Sequence, residues 1–502
     1  MSEPTGVAEG NEDVRRRCAG VVPLSGRLEA WQISLCRTPA RLAQWLDDHG
    51  SPLNVLHPAL MARGAAELEG AARASGVELR IFFARKANKA VACVDMARDL
   101  GLGVDVASEC ELLQTLERGV PADDVVVTAA VKPREFLEHC VTTNVTTVVD
   151  NEDELVALGR IAAKPGKRVE VALRLAPYLG FGRPESRFGF TAGHALDITD
   201  RYCAAKNAAP FDIAGVHFHL DGYDPGDRVA GITQGLDLID TLRARGHAPR
   251  FIDIGGGIPM RYLNHPGEWE CFWTQHRAAL RGHRPPLTFE GHGLGLIAHH
   301  DEILGRANVY PAYQHLTGGD WLAEILRSPL NGSASRETVA DAVRRRGLEL
   351  RCEPGRFLVD GCGLTAARVE FRKQRRDGTW LIGLAMNRTQ CRSTADDFLV
   401  DPLLIRTDAG ARSAGRETGP IEGYLVGAYC IEREFLSWRL LSFPDGVRVG
   451  DTVVFPNTAG YLMHILESAS HQIPLARNLV VGNDYAPILD AIDRGASGSV
   501  SS

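Results

Sequence analysis

The sequence lacks several features that would mark a specialised class of protein. Its 502 residues contain no apolar run of the ~18 residues that a membrane-spanning helix needs, and the opening stretch has no apolar core of a signal peptide. A formal charge of −7 indicates no basic surface for nucleic acid or an anionic membrane. The eleven cysteines include no CxxC pair, so neither a disulfide framework nor a zinc knuckle is indicated. We expect a cytoplasmic protein with reduced thiols.

What the sequence does contain is 44% hydrophobic residues, enough for a large core that a chain of this length divides between domains. Short apolar or β-branched runs alternate with longer amphipathic stretches, which is typical of βα units on a parallel sheet. Eight such runs lie at 79–84, 103–108, 124–130, 146–151, 169–176, 213–220, 250–257 and 348–356. They predict a TIM (β/α)8 barrel, the alternative being an open doubly wound sheet.

The barrel is predicted over residues 56–361, with one interruption. Nearly 90 residues separate Gly257 from the last strand, far more than a βα connection needs. We therefore predict an insertion at about 260–345 that forms a subdomain or lid near the barrel mouth.

The rest of the chain predicts a β domain and two tails. Helical periodicity fades over 362–490, where strand-like runs are separated by turn residues. The run at 26–36 alternates like a strand, so an N-terminal segment over 25–55 is predicted to join that domain. Residues 1–24 are polar and charged and are predicted to be disordered, and residues 491–502 are predicted to form a flexible tail.

The carboxyl ends of the predicted strands are polar, and this is where a TIM barrel carries its reactive groups. The residues there are Lys86, Asp105, Ser108, Lys132, Asp150, Arg174, His217, His219, Gly255, Gly256, Gly257, Glu353 and Arg356.

Lys86 follows the apolar run FFAR, where desolvation would lower an ammonium pKa and make the amine a nucleophile for a Schiff base. The alternative is a lysine that extends its head to solvent. The Gly255–Gly257 turn predicts either a phosphate site or only a tight turn. Glu353 either pairs with an arginine or keeps a heterocyclic nitrogen protonated. His219 either stacks on a flat cofactor or packs in the core.

Lysine, phosphate cup, carboxylate and histidine together describe a pyridoxal phosphate site. The sequence also resembles the diaminopimelate/ornithine/arginine decarboxylase family, which comprises fold-type III pyridoxal phosphate enzymes. The resemblance lies in the motifs FFARKAN (82–88), GVDVASECEL (103–112), SRFGF (186–190), HFHL (217–220), IDIGGG (252–257) and EPGR (353–356). It implies an alanine-racemase-type barrel plus a C-terminal β domain joined by an N-terminal strand.

The resemblance also implies roles at the cofactor, which is pyridoxal 5'-phosphate. Lys86 would form the Schiff base, His219 would stack on the pyridine ring, and Glu353 would pair with its nitrogen. Asp105 and Glu111 match polar positions near the lysine and the ring. The phosphate would be held by Gly255, Gly256, Gly257, Arg356 and Tyr461.

Cys430, in GAYCIERE, matches the cysteine that the family donates from the partner subunit to protonate the reaction intermediate. The resemblance therefore implies a homodimer whose active sites are shared across the interface. Considered without the resemblance, Cys430 would be predicted to be a buried structural thiol.

The sequence departs from the family pattern near these motifs. The family has Gly-Ser after the histidine, its serine contacting phosphate, whereas this chain has Asp221–Gly222. Ile431 stands where an acidic residue normally follows the cysteine, and Glu432 comes one position later, so recognition of the substrate amine is open. The insertion carries His292, His299 and His300 without metal-ligand spacing, so a solvated loop is expected there and no metal.

These observations predict a carboxy-lyase that decarboxylates an amino acid, or a derivative of one, at its α-carbon. Diaminopimelate is the default substrate by resemblance, and a specialised biosynthetic reaction is at least as plausible. Arg388 and Arg392, together with Glu432, are candidate substrate contacts, the two arginines for a distal carboxylate; a surface role is the alternative. A racemase or epimerase on the same fold, or a non-catalytic pyridoxal phosphate protein, remains as an alternative function.

Overall fold

The computed structural model describes residues 12–163, 168–180, 186–203, 210–330, 337–407, 419–482 and 486–494. Within these residues the chain forms two compact units. The barrel unit comprises 61–259 and 316–358, and the β unit comprises the described parts of 1–60, 260–315 and 359–502. No helix in the described ranges is long and apolar enough to cross a membrane.

The N-terminal elements belong to the β unit. They are α1 (Glu12–Arg15), β1 (Ala19–Gly20), α2 (Ala30–Cys36), α3 (Pro39–His49) and β2 (Leu53–Leu56). Residues 12–24 were predicted to be disordered, which is wrong, because Val14, Cys18 and Leu24 are buried and Ala19 pairs with Ser442. Residues 1–11 lie outside the described part of the chain.

The run at 26–36 is mostly helix α2 rather than the predicted strand. Trp31 and Leu35 are four residues apart, so they lie on one buried face of the helix. Residues four apart also share one face of a strand, so this short run fitted both patterns. The strand that the N-terminal segment does supply is β2, which pairs with residues 363–366 and 477–480.

The barrel unit contains eight strands, all parallel, which close on themselves. They are β3 (Leu79–Ala84), β4 (Gly103–Val106), β5 (Val125–Val127), β6 (Thr146–Val149), β7 (Val169–Arg174), β8 (Phe211–His217), β9 (Phe251–Asp253) and β12 (Glu349–Cys352). The last strand pairs with both β9 and β3, so the predicted TIM barrel is confirmed and the open sheet is excluded. Phe82, Val148 and Phe251 are among the side chains that fill its core.

Helices alternate with these strands along the chain. They are α4 (Met61–Ala74), α5 (Val91–Asp99), α6 (Glu109–Glu117), α7 (Arg134–Thr143), α8 (Glu152–Ala163), α9 (Ala192–Tyr202) and α10 (Pro225–Ala244). The first six strand ends are each followed by a loop and then one of these helices, and because all eight strands are parallel the candidate residues lie at one end of the barrel.

The predicted insertion is shorter than expected. Residues 260–315 belong to the β unit and contain α11 (Pro266–Leu280), β10 (Leu296–His299) and β11 (Glu302–Gly305). The amide of Phe289 donates to the carbonyl of Trp438 at 2.8 Å, and the amide of Leu440 donates to that of Leu287 at 2.9 Å. The segment is thus bonded to the β domain.

Residues 316–345 belong to the barrel unit and not to the insertion. Their helices are α12 (Gly318–Arg327) and α13 (Val339–Arg345). Helix α12 lies beside α4 and α10, and one of its faces buries Trp321, Leu322 and Ile325. The amide of Gly319 donates to Glu67 of α4 at 2.8 Å.

The remaining strands form the β domain. They are β13 (Gly363–Gln374), β14 (Trp380–Leu384), β15 (Leu403–Ile405), β16 (Ile421–Val426), β17 (Leu441–Phe443), β18 (Thr452–Pro456), β19 (Arg477–Val481) and β20 (Pro487–Leu489). With β1 and β2 they make a ten-stranded sheet. Its presence confirms the predicted second domain. Of the predicted C-terminal tail, 491–494 form helix α14 (Ala491–Arg494), and 495–502 lie outside the described residues.

Candidate active site

Lys86 lies just after β3, in ion-pair contact with the end of the neighbouring strand. Its Nζ is 3.1 Å from Oδ2 of Asp105, which is 1% exposed, and the hydroxyl of Thr128 donates to the other oxygen of that carboxylate. The lysine side chain itself is 34% exposed. Lys86 therefore reaches a solvent-accessible space while a buried carboxylate fixes its position, so it is less desolvated than the sequence predicted.

Glu353, His217 and Asp253 form a fully buried cluster at the ends of three strands. Oε1 of Glu353 lies 3.2 Å from Nε2 of His217, yet neither atom has a hydrogen-bond partner within the described chain. Burial raises the pKa of the Glu353 and Asp253 carboxyls, in each case with a further rise from a neighbouring acid, and burial lowers the pKa of His217. Burial therefore favours the uncharged form of each of the three groups.

The same three side chains are the one group of possible metal ligands found among the described residues, with their ligand atoms within 4.8 Å of one another. His292, His299 and His300 are not part of it. His292 stacks on Trp438, with ring centroids 4.3 Å apart, and the other two histidines are exposed at the β10–β11 hairpin.

The glycine turn after β9 is held against the last barrel strand. Gly255 and Gly257 have φ values of 66° and 79°, which a side chain would strain. The amide of Glu353 donates to the carbonyl of Gly255 at 3.0 Å. A Cβ on Gly256 would lie 2.6 Å from the backbone oxygen of Glu353. Only glycines can bring a backbone this close to that strand.

His219 follows β8 and contacts the same turn. Its Nδ1 accepts a hydrogen bond from the amide of Gly256 at 3.1 Å, so a proton on the neutral ring lies on Nε2. Burial, reinforced by the charge of Lys86, lowers the pKa of His219 well below its usual value. The ring is therefore a neutral, fixed, flat surface.

Of the other predicted barrel residues, some lie near Lys86 or just after β12 and others are engaged in ion pairs. Arg356 is half-buried just after β12. Glu111 accepts from the amide of Ala107 at 2.7 Å and lies near Lys86 and Asp105, and burial raises the pKa of its carboxyl. Arg174 pairs with Asp150 at 3.1 Å.

Lys132 and Ser108 have structural contacts. Nζ of Lys132 is 2.8 Å from Glu154, and both side chains are buried, which describes an internal ion pair rather than a substrate contact. The hydroxyl of Ser108 accepts from the amide of Glu111 and caps the first turn of α6.

Cys430 lies in the β unit and is exposed, so the buried structural thiol that was predicted without the resemblance is wrong. The loop that carries it is anchored at both ends by neighbouring residues. The hydroxyl of Tyr429 donates to Ser468 at 3.0 Å, and the buried carboxylate of Glu434 accepts from the amide of Arg388 at 2.8 Å. Ile431 and Glu432 are exposed on the same loop.

The two arginines predicted to bind a distal carboxylate lie near this loop. Arg388 is half-exposed, with Nε 3.6 Å from Glu434. Arg392 is buried and donates from Nη2 to the carbonyl of Phe435 at 2.8 Å. Tyr461, also in the β unit, is half-buried and has a φ of 69°.

Two residues with evident local roles were not predicted from the sequence. Asp253 belongs to the IDIGGG motif, but it was interpreted as part of the strand; its buried oxygen accepts from the amide of Gly255 at 2.9 Å. Glu434 lies four residues after Cys430 and accepts from the amide of Arg388, and nothing in the sequence around it indicates this contact.

These residues fit pyridoxal phosphate. The unpartnered oxygen of Glu353 is a buried acceptor of the kind that a protonated heterocyclic nitrogen would satisfy, and the ring nitrogens of His217 beside it also lack a partner among the described residues. The amides of Gly255 and Gly256 already donate to Asp253 and His219, which leaves the amide of Gly257 in this turn for an anion, and Lys86 could provide the amine. The barrel, Lys86 and the glycine turn are therefore the features expected of a pyridoxal phosphate enzyme.

Comparison with known proteins agrees with this class. The model of the family described as "Pyridoxal-dependent decarboxylase, pyridoxal binding domain" matches residues 65–287. An uncharacterised protein of Sinorhizobium fredii, y4yA, is 31% identical over 445 residues, covering 88% of this chain and 90% of that protein. A diaminopimelate decarboxylase of Pseudomonas aeruginosa is 25% identical over 381 residues, 72% of each chain.

Solved structures share the fold. A diaminopimelate decarboxylase from Helicobacter pylori, complexed with L-lysine, has a TM-score of 0.63 and 18% identity over 90% of this chain and 97% of that one. A lysine/ornithine decarboxylase from Vibrio vulnificus, complexed with putrescine, has a TM-score of 0.60 and 17% identity over 91% and 99%. The chain belongs to the pyridoxal-dependent decarboxylase family. Its cofactor is pyridoxal 5'-phosphate, and the predicted resemblance is confirmed.

Proposed function

We propose that the protein removes the α-carboxylate of an amino acid or an amino-acid derivative. The observation that supports this most is the meeting, at one end of the barrel, of Lys86 with Asp105 and of Glu353 with His217, beside a turn of three glycines. When bound, pyridoxal phosphate supplies an electron sink for the bond to the carboxylate that breaks. The chain must then hold the cofactor, position the amine, protonate the ring nitrogen and return a proton to the α-carbon.

Lys86 binds the cofactor covalently in this proposal. The buried Asp105 carboxylate keeps its Nζ near one position while the side chain stays partly exposed, so an incoming substrate amine can displace it. His219 stacks on the pyridine ring of the cofactor, and Glu111 lies near Lys86 and Asp105. Gly255, Gly256, Gly257, Arg356 and Tyr461 hold the phosphate.

Glu353 controls the proton at the ring nitrogen. Because burial raises its pKa, its carboxyl favours the protonated form and can give that proton to a heterocyclic nitrogen. His217 does not compete for this proton, because burial lowers its pKa and keeps it neutral. The carboxylate left behind then stabilises the positive charge on the ring nitrogen.

We propose Cys430 as the acid that returns a proton to the α-carbon, in the active site of the partner subunit of a homodimer. Its exposure supports this role, because a thiol that serves another subunit must be accessible on the surface of its own. Tyr429 and Glu434 fix the loop on both sides of it. We also propose a cytoplasmic location, where such a thiol stays reduced.

For the substrate we propose a compound with a second carboxylate. Arg388 is the better candidate to bind it, because it is half-exposed, whereas Arg392 is buried and committed to the carbonyl of Phe435. Glu432 is exposed and available for an amine. Diaminopimelate is the first compound to test, since relatives carry that name, but Ile431 and Asp221–Gly222 support a specialised biosynthetic substrate.

The test is CO2 release by the cofactor-loaded protein over a panel of diaminopimelate, lysine, ornithine, arginine, glutamate and conjugated amino acids. Lys86→Ala should abolish release from any active compound. Lys89→Ala, three positions later and also half-buried, is the matched control and should not. Inversion of the α-carbon without CO2 would instead show a racemase, and no reaction with any compound would leave only a cofactor-binding protein.

A further inference from the structure

Arg228, in the first turn of α10, is a buried arginine that touches the phosphate turn. It is 1% exposed. Its Nη2 donates to the carbonyl of Gly256 at 2.9 Å, and also to those of Leu220 at 3.0 Å and Gly222 at 3.3 Å. A Cβ on Gly257 would collide with the same nitrogen. One guanidinium therefore joins the loop after β8 to the turn after β9.

The charge of Arg228 has no direct counter-ion. Its Nε and Nη1 have no hydrogen-bond partner, and no carboxylate of the described residues pairs with it. Asp227 and Asp221 act on it only at longer range, and the ring of Trp321 lies 5.8 Å from its Cζ. Burial lowers its pKa to about 10, so it stays charged at neutral pH. A buried cation of this kind needs an anion nearby.

The position of Arg228 coincides with a gap in the expected phosphate site. Gly222 stands where the resembling family has a serine that contacts phosphate, and no atom lies within 4 Å of the place its Cβ would occupy. The carbonyl of Gly222 is one of the three that Arg228 binds. Arg228 therefore binds the same loop, residues 220–222, in which glycine stands in place of the serine.

We propose that Arg228 is a positioning residue of the phosphate site, which replaces the missing serine by fixing residues 220–222 against Gly256 and by placing a positive charge next to the phosphate. Trp321 supports it, because its Nε1 donates to the carbonyl of Tyr223 at 2.7 Å and so holds the same loop. The inference rests on pyridoxal phosphate as the cofactor.

The test compares two ligands on the apoprotein, pyridoxal phosphate and pyridoxal, which differ only in the phosphate. In Arg228→Met we expect pyridoxal phosphate to bind at least about tenfold more weakly, the loss typical of a charge-assisted hydrogen bond, and pyridoxal within about twofold of the wild type. Inorganic phosphate should compete with pyridoxal phosphate in the wild type and much less in the variant.

Two further variants make the result decisive. Arg228→Lys keeps the charge and one nitrogen for the carbonyls but lacks the Nε and Nη1 donors, so it should lose part of the discrimination between the two ligands. Arg243→Met is the matched control: it lies at the other end of α10 and also donates to backbone carbonyls, those of Arg346 and Pro249, and it should leave the ratio of the two affinities unchanged.

Equal weakening of both ligands in Arg228→Met would overturn the proposal, because it would show a structural role alone. So would an unchanged ratio of the affinities in Arg228→Lys, which decides the question if Arg228→Met does not fold. A wild-type protein that binds neither ligand would refute the cofactor instead, a failure that is distinct from that of the arginine.

Discussion

Replacing Gly256 by alanine tests how closely the phosphate turn is pressed against the last barrel strand. The new Cβ would lie 2.6 Å from the backbone oxygen of Glu353 and 3.5 Å from Cε1 of His219. The first neighbour is backbone directly after the last barrel strand and cannot rotate away as a side chain could, so the turn itself must move. Overpacking of this kind costs ~1–3 kcal/mol. If that cost appears fully in binding, the affinity for pyridoxal phosphate falls by roughly 5- to 150-fold.

The assay is titration of the apoprotein with pyridoxal phosphate, together with urea unfolding. Gly70→Ala is the control: it lies inside α4, where a Cβ meets nothing within 4 Å, and it should stabilise the protein by ~0.5–1 kcal/mol without changing cofactor affinity. Wild-type affinity and stability in Gly256→Ala would refute the argument, because the turn could then accept a side chain.

Three further predictions concern buried and exposed groups. Burial raises the pKa of Glu353, so the folded apoprotein holds a proton that the unfolded chain releases; stability should fall as pH rises from the usual carboxyl range through the raised pKa, and the thermal midpoint of Glu353→Gln should vary less over that range. An equal pH slope in both proteins would contradict this. Lys132→Met leaves the buried Glu154 unpaired and should cost ~3–5 kcal/mol in urea unfolding, most of it regained with Glu154→Leu; a fully stable single variant would show that the pair is dispensable. Cys430→Ser should keep cofactor affinity but lower kcat by roughly a hundredfold or more, and an unchanged kcat would remove the thiol from the reaction.

Much of the barrel could be predicted because its strands are short buried runs between glycine-rich or capped helix ends. All eight predicted runs contain a barrel strand, apart from small differences at the ends. The predictions failed where tertiary contacts decide the outcome. Residues 12–24 are polar enough to be a tail, yet Val14 and Leu24 are buried. The helix α2 is too short for its period to be separated from alternation.

The sequence could predict which polar side chains lie at the strand ends, as at Lys86 and Glu353, because the strands themselves were recognisable; the roles of these residues stay predictions. A residue could not be predicted where its position depends on a contact between segments that are distant in the sequence. Arg228 is one of many arginines in the sequence, and only the fold places it against Gly256, 28 residues later. In the same way His217 lies beside Glu353 although their strands are far apart along the chain, so the sequence does not indicate that contact.

The most direct test of the account is to locate the cofactor on the chain. The holoprotein would be reduced with borohydride, digested, and searched by mass spectrometry for a pyridoxyl-modified lysine; the sequence contains only seven lysines, so the assignment is unambiguous. The account predicts modification at Lys86 and nowhere else in stoichiometric amount. Modification of Lys89 or another lysine in its place, or no modification of protein saturated with pyridoxal phosphate, would contradict it.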